Sequence, residues 1–253
     1  MEGYETKAKE NRREVLTLIH RAKTSHIASN FSVIDIATVL YENLRKGDEV
    51  VWSKGWAAAT IYYFLWKQGK ITREQLESFP NAPFYGLAEV GIPGVHVSGG
   101  SMGQGLGVAI GMAIGKKRAG EHGTVYCIMS DGEQMEGTTW EGALVASQQK
   151  LDNLVVVVDF NKWTAMGRTK EVNDLEPLDK KWEMFNFDTR RINGHNCQQI
   201  FDNIDSLEAQ VLPVAIIADT IKGKGVSFLE DHLLYHYKHI DDDEYKKAMA
   251  ELV

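Results

Sequence analysis

The sequence predicts an α/β fold: a doubly wound, mostly parallel sheet with helices on both faces. Three observations lead there. Short segments of strand length recur at 49–52, 125–129, 154–158, 188–192 and 213–218, the central two being unbroken apolar runs. Longer stretches with apolar residues at helical spacing alternate with them, as strands joined by crossover helices require. Several of the runs break at polar or glycine-bearing tips, and right-handed crossovers gather such tips at one edge of the sheet.

Residues 4–23 carry Val15, Leu16, Leu18 and Ile19 at helical spacing among charged positions, giving a surface helix that delivers the segment Ser25-His26-Ile27-Ala28-Ser29-Asn30. A second helix is expected from Ser32, as its cap, to Leu44, with His26 in the short connection between the two. Glu49 to Trp52 reads as a strand, and Ser53-Lys54-Gly55-Trp56 as the turn into a helix reaching about Gln68. The glycine-rich run from Gly99 to Gly105 leads into an apolar helix ending near Lys116. At the centre, Val125–Met129 and Leu154–Val158 are strands joined by a helix over Thr138–Lys150, whose apolar positions are Trp140, Leu144 and Val145. The strands at 188–192 and 213–218 are separated by a polar helix from Cys197 to Gln210.

The chain has 253 residues, of which 43% are hydrophobic and 25% charged, ordinary values for one soluble α/β domain. A net charge of −7 without a basic run gives no footing for nucleic acid. Two cysteines suit free thiols in a reducing compartment, with Cys127 in the core. No apolar stretch has the length of a membrane span, and the polar N-terminus is unlike a signal peptide, so a cytoplasmic protein without a membrane partner is expected.

The chemistry concentrates at the two central tips, Ser130-Asp131-Gly132 and Asp159-Phe160-Asn161. A carboxylate, an amide oxygen and nearby carbonyls, with a glycine that lets phosphate oxygens reach the main chain, form a hard oxygen site suited to Mg²⁺ bridging a diphosphate. Taken singly, an Asp-Gly turn and an asparagine cap are the structural alternative.

The run Ser130-Asp131-Gly132-Glu133, then Glu136-Gly137, then Asp159-Phe160-Asn161 resembles the thiamine diphosphate motif of the transketolase family, with Ser130 where the motif has glycine. The likeness extends along nearly the whole chain. Ser-His-Ile-Ala-Ser resembles the family's Ser-Gly-His-x-Gly loop, Ser98-Gly99-Gly100-Ser101-Met102-Gly103-Gln104-Gly105-Leu106 its Ser-Thr-Gly-Ser-Leu-Gly-Gln-Gly-Leu, and Thr220-Ile221-Lys222-Gly223-Lys224-Gly225 its Thr-x-Lys-Gly-x-Gly. The resemblance implies that Asp131, Asn161 and the carbonyl of Trp163 hold Mg²⁺, and that Gly132 gives its N–H to the diphosphate. It brings Gly100 and Met102 to the aminopyrimidine, and adds Lys222 and His236 at the diphosphate end of the cofactor. Catalytic roles fall by the same likeness on His26, beside the thiazolium, on His236, and on Glu136, which links cofactor sites across a dimer. His20, His122, His195, His232 and His239 match nothing and are expected on the surface.

Two family histidines are replaced, one by Trp56 and one, counting back from Pro93-Gly94-Val95, by Leu87, while His96 stands where glutamate is usual; all three are expected in the substrate pocket. The chain is read as one diphosphate-binding domain over residues 1–253. The pyrimidine domain that activates the cofactor is expected on a second polypeptide, the C-terminal subunit, in a heterotetramer with two copies of each chain. Such an enzyme transfers a two-carbon ketol unit from a ketose to an aldehyde. Trp56 and Leu87 offer a donor hydroxyl fewer hydrogen-bond partners, so acyl transfer from a 2-oxo acid such as pyruvate is kept beside it. A non-catalytic scaffold subunit is one reading from another class, and a nucleotide-binding oxidoreductase is the other. The first is opposed by the retained metal ligands, the second by the missing strand before the glycine-rich turn.

Overall fold

The computed structural model describes residues 2–209 and 211–253. Along the chain, α1 (Glu2–Ala22), α2 (Ile27–Ser32) and α3 (Ile34–Glu42) precede β1 (Glu49–Trp52). Next come α4 (Ala58–Lys67), α5 (Arg73–Glu77), α6 (Gln104–Ala119), β2 (Val125–Ser130), α7 (Gly137–Gln148) and β3 (Leu154–Phe160). The C-terminal part adds α8 (Thr169–Val172), α9 (Leu178–Met184), β4 (Asp188–Asn193), α10 (Cys197–Asp205), β5 (Val214–Asp219) and α11 (Asp242–Glu251).

The five strands form one sheet in the order β1-β2-β3-β5-β4, every pairing parallel. Because side chains alternate across a strand, the apolar runs split between two layers. Val50, Trp52, Tyr126, Ile128, Val155, Val157 and Ile216 face a core shared with α1, α3 and α4. Val51, Cys127, Met129, Val156, Val158 and Ile217 face the opposite core, under α6, α7 and Trp182 of α9. The sheet is thus covered on both sides, as the continuous apolar strands require.

Several sequence expectations are corrected. The helix expected from Ser32 begins at Ile34 as α3, while the segment Ile27–Ser32, expected within the connection, is itself a helix, α2, with Ser32 as its last residue rather than a cap. Its hydroxyl is engaged by Asp159 at 2.6 Å, which leaves no capping role. His26 is accordingly the N-cap of α2, in a left-handed conformation with φ 69°. The central crossover helix buries Thr139, Ala143 and Ala146, while Leu144 and Val145 are exposed. The polar helix ends at Asp205 and continues as a 3-10 turn, Ser206–Ala209; Gln210 lies outside the described residues. Both cysteines are free and buried, Cys197 as well as Cys127. Among the described residues no helix is long and apolar enough to cross a membrane.

Candidate functional site

The strand pairing sets Ser130 against Asp159, so the chain leaving β2 at Asp131 and the chain leaving β3 at Asn161 emerge side by side. Asp131 is only 1% exposed. Its Oδ1 accepts the Gly132 N–H at 2.9 Å and its Oδ2 the Lys162 N–H at 2.6 Å, the latter made possible by a left-handed Lys162. Asn161 Oδ1 accepts the Trp163 N–H at 3.1 Å, and its Nδ2 faces Ser32 Oγ at 3.5 Å.

Below this pair lies a charged layer. Asp159, fully buried, accepts from Lys54 Nζ and Thr220 Oγ1 as well as from Ser32. Lys54 Nζ also reaches Ser32 Oγ at 3.2 Å. Burial pushes the Asp131 carboxyl up to about 7; Lys54 opposes that rise and Asp159 adds to it. A carboxylate so placed is short of positive charge, which a divalent cation supplies. One carboxylate, one amide oxygen and a nearby main-chain carbonyl, with room for phosphate oxygens, is a donor set that fits Mg²⁺. No cluster of three His, Cys, Asp or Glu suited to a softer metal exists among the described residues.

A cavity of about 330 Å³ opens over these groups. Asp131, Gly132, Asn161, Trp163, Gly100, Met102, Glu136, Trp56 and His236 all line it, so most residues singled out in the sequence come together. A Cβ built on Gly132 would come within 3.4 Å of the Met102 sulfur, so the glycine keeps the floor open under that side chain. His26 adjoins the cavity. Its ring stacks on Trp56 with centroids 4.3 Å apart and meets His236 edge-on at 4.6 Å. Lys222, 1% exposed, stands behind with Nζ 2.8 Å from His236 Nδ1. Burial, reinforced by Lys222, lowers His26 to about 4 and His236 to about 3, so both rings are neutral near pH 7. With Lys222 donating to Nδ1, the His236 ring proton is assigned to Nε2.

Leu87 packs on Gly99 and Gly100, within 3.1 Å of a Cβ built on the latter, and is not among the residues that line the cavity. His96 is set apart. Its Nε2 faces Glu49 at 3.2 Å, at the amino end of β1 and so on the far side of the sheet from the strand tips.

Four buried groups escaped the sequence reading. Lys54 and Asp159 form the charged layer just described. Glu133, 0% exposed, ties three segments together: Oε1 accepts from Ser53 Oγ and from Gly103 N–H at 3.1 Å, Oε2 from Ser130 N–H at 2.7 Å and Oγ at 3.1 Å. It fixes the glycine-rich loop to the tips of β1 and β2. Replacing it by glutamine sets an amide NH₂ against N–H donors. We expect Glu133→Gln to lower unfolding free energy by about 1.5–3 kcal/mol, the worth of a hydrogen bond to a charged group, read as a shifted urea midpoint. An unchanged midpoint would show that the loop is held some other way.

His195, expected on the surface, has a side chain only 11% exposed. Nδ1 is 2.7 Å from Asp35 Oδ2 and Nε2 accepts the Ile221 N–H at 2.7 Å. Its sequence context held a signal: Asn193-Gly194-His195 is itself the carboxyl tip of a strand, the position that drew attention to Asp131.

The family model described as the transketolase, thiamine diphosphate binding domain, matches residues 5–252. Among curated proteins the chain is 34% identical to one subunit of the apulose-4-phosphate transketolase of Actinobacillus succinogenes, over 98% of this chain and 95% of that one. It is 33% identical to 6-deoxy-6-sulfo-D-fructose transketolase subunit SqwG of a Clostridium species, over 95% and 93%. A crystal structure of transketolase from Campylobacter jejuni superposes with a TM-score of 0.92 at 26% identity, covering 99% of this chain and 43% of that chain.

Proposed function

The chain belongs to the family of transketolase thiamine diphosphate-binding domains, and from that premise we propose that it is the cofactor-binding subunit of a two-chain enzyme moving a ketol unit from an anionic ketose to an aldehyde. The observation that carries this reading is the match to proteins that are themselves named as single subunits of transketolases, along 95% and 94% of their own length. The proposed partner is a chain bearing the pyrimidine-binding part, and a cytoplasmic heterotetramer is the assembly we infer. Two relatives are named for ketoses ending in an anion, a phosphate in one and a sulfonate in the other, which supports a donor of that class.

Thiamine diphosphate, when bound, supplies the thiazolium at which a ketose is cleaved. Toward it, Asp131, Asn161 and the Trp163 carbonyl would hold Mg²⁺, and Gly132 would offer its N–H to the diphosphate. Lys222 would add a fixed positive charge; burial and Lys54 lower it to about 8, where it still carries most of its proton at pH 7. His236, whose Nδ1 accepts from Lys222, can offer its Nε2–H to a donor oxygen, and the neutral ring of His26 beside it can exchange one proton with a donor hydroxyl. Glu136, half-buried at the N-cap of α7, is the group we place at the junction of two cofactor sites.

Trp56 favours a second reading, acyl transfer from a 2-oxo acid. Its indole covers the face of His26 and offers a donor no acceptor. Co-expression with the partner chain, with Mg²⁺ and thiamine diphosphate, allows both donors to be offered in parallel. Aldehyde released from xylulose 5-phosphate without CO₂ from pyruvate is the expected result. CO₂ alone would transfer the enzyme to the second class, and neither product would leave the scaffold reading.

A further inference from the structure

A residue other than glycine needs contacts to keep it in the left-handed region, and His26, with φ 69°, has them on its main chain and on its ring. Its N–H donates to the His236 carbonyl at 3.2 Å, and its carbonyl accepts from Asn30 Nδ2 at 2.9 Å. Trp56 stacks on the ring 13° from parallel, and His236 meets it edge-on. The one hydrogen bond to the ring comes from the neighbouring residue: Ser25 Oγ is 2.6 Å from Nδ1. The family loop Ser-Gly-His-x-Gly has glycine in the position of Ser25 and cannot make that contact.

The hydroxyl is the donor. A separation of 2.6 Å lies in the range of O–H donors, about 2.5–3.0 Å, and is shorter than the range of about 2.7–3.2 Å for N–H donors to oxygen. Ser25 Oγ has no other hydrogen-bond partner among the described residues, so by accepting it would leave its own hydrogen unmatched by the chain, and by donating it is satisfied. The ring proton of His26 is thereby assigned to Nε2, which has no partner among the described residues. Burial and the charges of Lys222 and Lys54 keep this ring from taking a second proton. A ring so restricted passes a proton by giving it at one nitrogen while receiving another at the second, and Ser25 is the group placed to supply the second. The serine is half-buried, and with His26, Lys23 and His239 it lines a cavity of about 390 Å³, room enough for water beside polar groups.

We propose that Ser25 is the positioning residue of His26: its hydroxyl fixes the ring as the Nε2–H tautomer and relays protons between this cavity and an oxygen of the donor. When Nε2 gives its proton to the oxygen, Nδ1 takes the proton of Ser25 and Oγ takes one from water in the cavity. The net change is one proton moved from solvent to the donor oxygen, with the ring left neutral as the Nδ1–H tautomer. Removing a proton from a donor hydroxyl runs the same sequence backwards and restores the first tautomer. The inference rests on the ketose-donor reading above, which supplies the hydroxyl.

The test has two arms. In the first, the ring nitrogens of His26 are followed in the full chain by nitrogen-edited long-range NMR at neutral pH. A bare Nδ1 and a protonated Nε2 are expected, giving way to a mixture of tautomers in Ser25→Ala and restored in Ser25→Thr. A protonated Nδ1 in the unmodified chain, or a tautomer that Ser25→Ala leaves in place, overturns the proposal even where ketol transfer is observed. In the second arm, the enzyme assembled with its partner is assayed on a ketose. Ser25→Ala should lower kcat about 10–100-fold, with KM within about threefold and thiamine diphosphate binding unaltered, and Ser25→Thr should recover most of the loss. The dependence of kcat on the deuterium content of the solvent should be curved in the unmodified enzyme, as protons moving together require, and linear in Ser25→Ala. A kcat that Ser25→Ala leaves within about twofold overturns the relay. A tautomer that depends on Ser25, in an assembled enzyme that turns over no ketose, upholds the positioning of His26 and removes the ketose reading instead.

Discussion

Asp131→Asn is expected to reduce Mg²⁺-dependent thiamine diphosphate binding by more than about 100-fold while leaving the chain folded. Changes to groups that merely orient a metal ligand cost about 10–100-fold in metal affinity, and here the only carboxylate of the proposed donor set loses its charge. The fold should tolerate the change. Asp131 stabilises its surroundings through two main-chain N–H groups, of Gly132 and Lys162. An asparagine oxygen retains one of these contacts and gives up a buried charge that makes no direct ion pair among the described residues. Calorimetric titration of the assembled enzyme with thiamine diphosphate, with and without Mg²⁺, measures the first effect; thermal unfolding of the unliganded variant measures the second. Binding that keeps its Mg²⁺ dependence in Asp131→Asn would remove Asp131 from the metal site. Loss of binding accompanied by a collapsed melting transition would mean that the residue is needed for folding and says nothing of the metal.

The contrast between Asp131 and its buried neighbours explains how far the sequence could be read. The strands were visible because a parallel sheet covered on both faces asks for unbroken apolar runs, and Val125–Met129 and Leu154–Val158 are such runs. Asp131 and Asn161 were visible because polar residues at the ends of those runs have no place in the core. Asp159 was hidden by the same logic: read as part of a tip, it is inside β3, satisfied by Lys54, Ser32 and Thr220 from three other segments of the chain. Those partners are set by tertiary packing, not by spacing. His96 went the other way. Its match to a family position usually held by glutamate suggested the pocket, yet the loop carries it to Glu49 at the opposite end of β1, a matter of loop path that no periodicity encodes. Leu144 and Val145 misled for a related reason, since helical spacing identifies a face without saying which face the sheet covers; small residues, Ala143 and Ala146, let α7 approach closely.

Asp35→Ala should cost about 3–5 kcal/mol of folding stability, the usual loss when one partner of a buried ion pair is removed. Arg12 and Asp35 are 7% and 8% exposed in their side chains, joined at 2.5 and 2.8 Å, and among the described residues Arg12 would be left with the Phe31 carbonyl alone, at 3.4 Å. Burial alone would raise the Asp35 carboxyl, but the Arg12 charge and the His195 hydrogen bond outweigh it and hold the group below its ordinary value of 3.8. The stability it contributes is therefore complete above that value and is lost as pH falls through the lower folded one. Unfolding curves of the unmodified chain should steepen in acid below pH 3.8, and those of Asp35→Ala should be flatter there. The pair also reaches the site. His195 passes from Asp35 to the Ile221 N–H, and Gly225, with φ +100°, lies so close to Arg12 that a Cβ would come within 3.0 Å of its Cδ. The segment that presents Lys222 to His236 is thereby held at both ends. A double replacement, Arg12→Met with Asp35→Leu, separates the two roles. Apolar packing should recover much of the stability, whereas His195 would still lack its carboxylate, so weaker thiamine diphosphate binding should persist. Full recovery of both would mean that the pair serves the core alone and that the Lys222 segment holds its place without it.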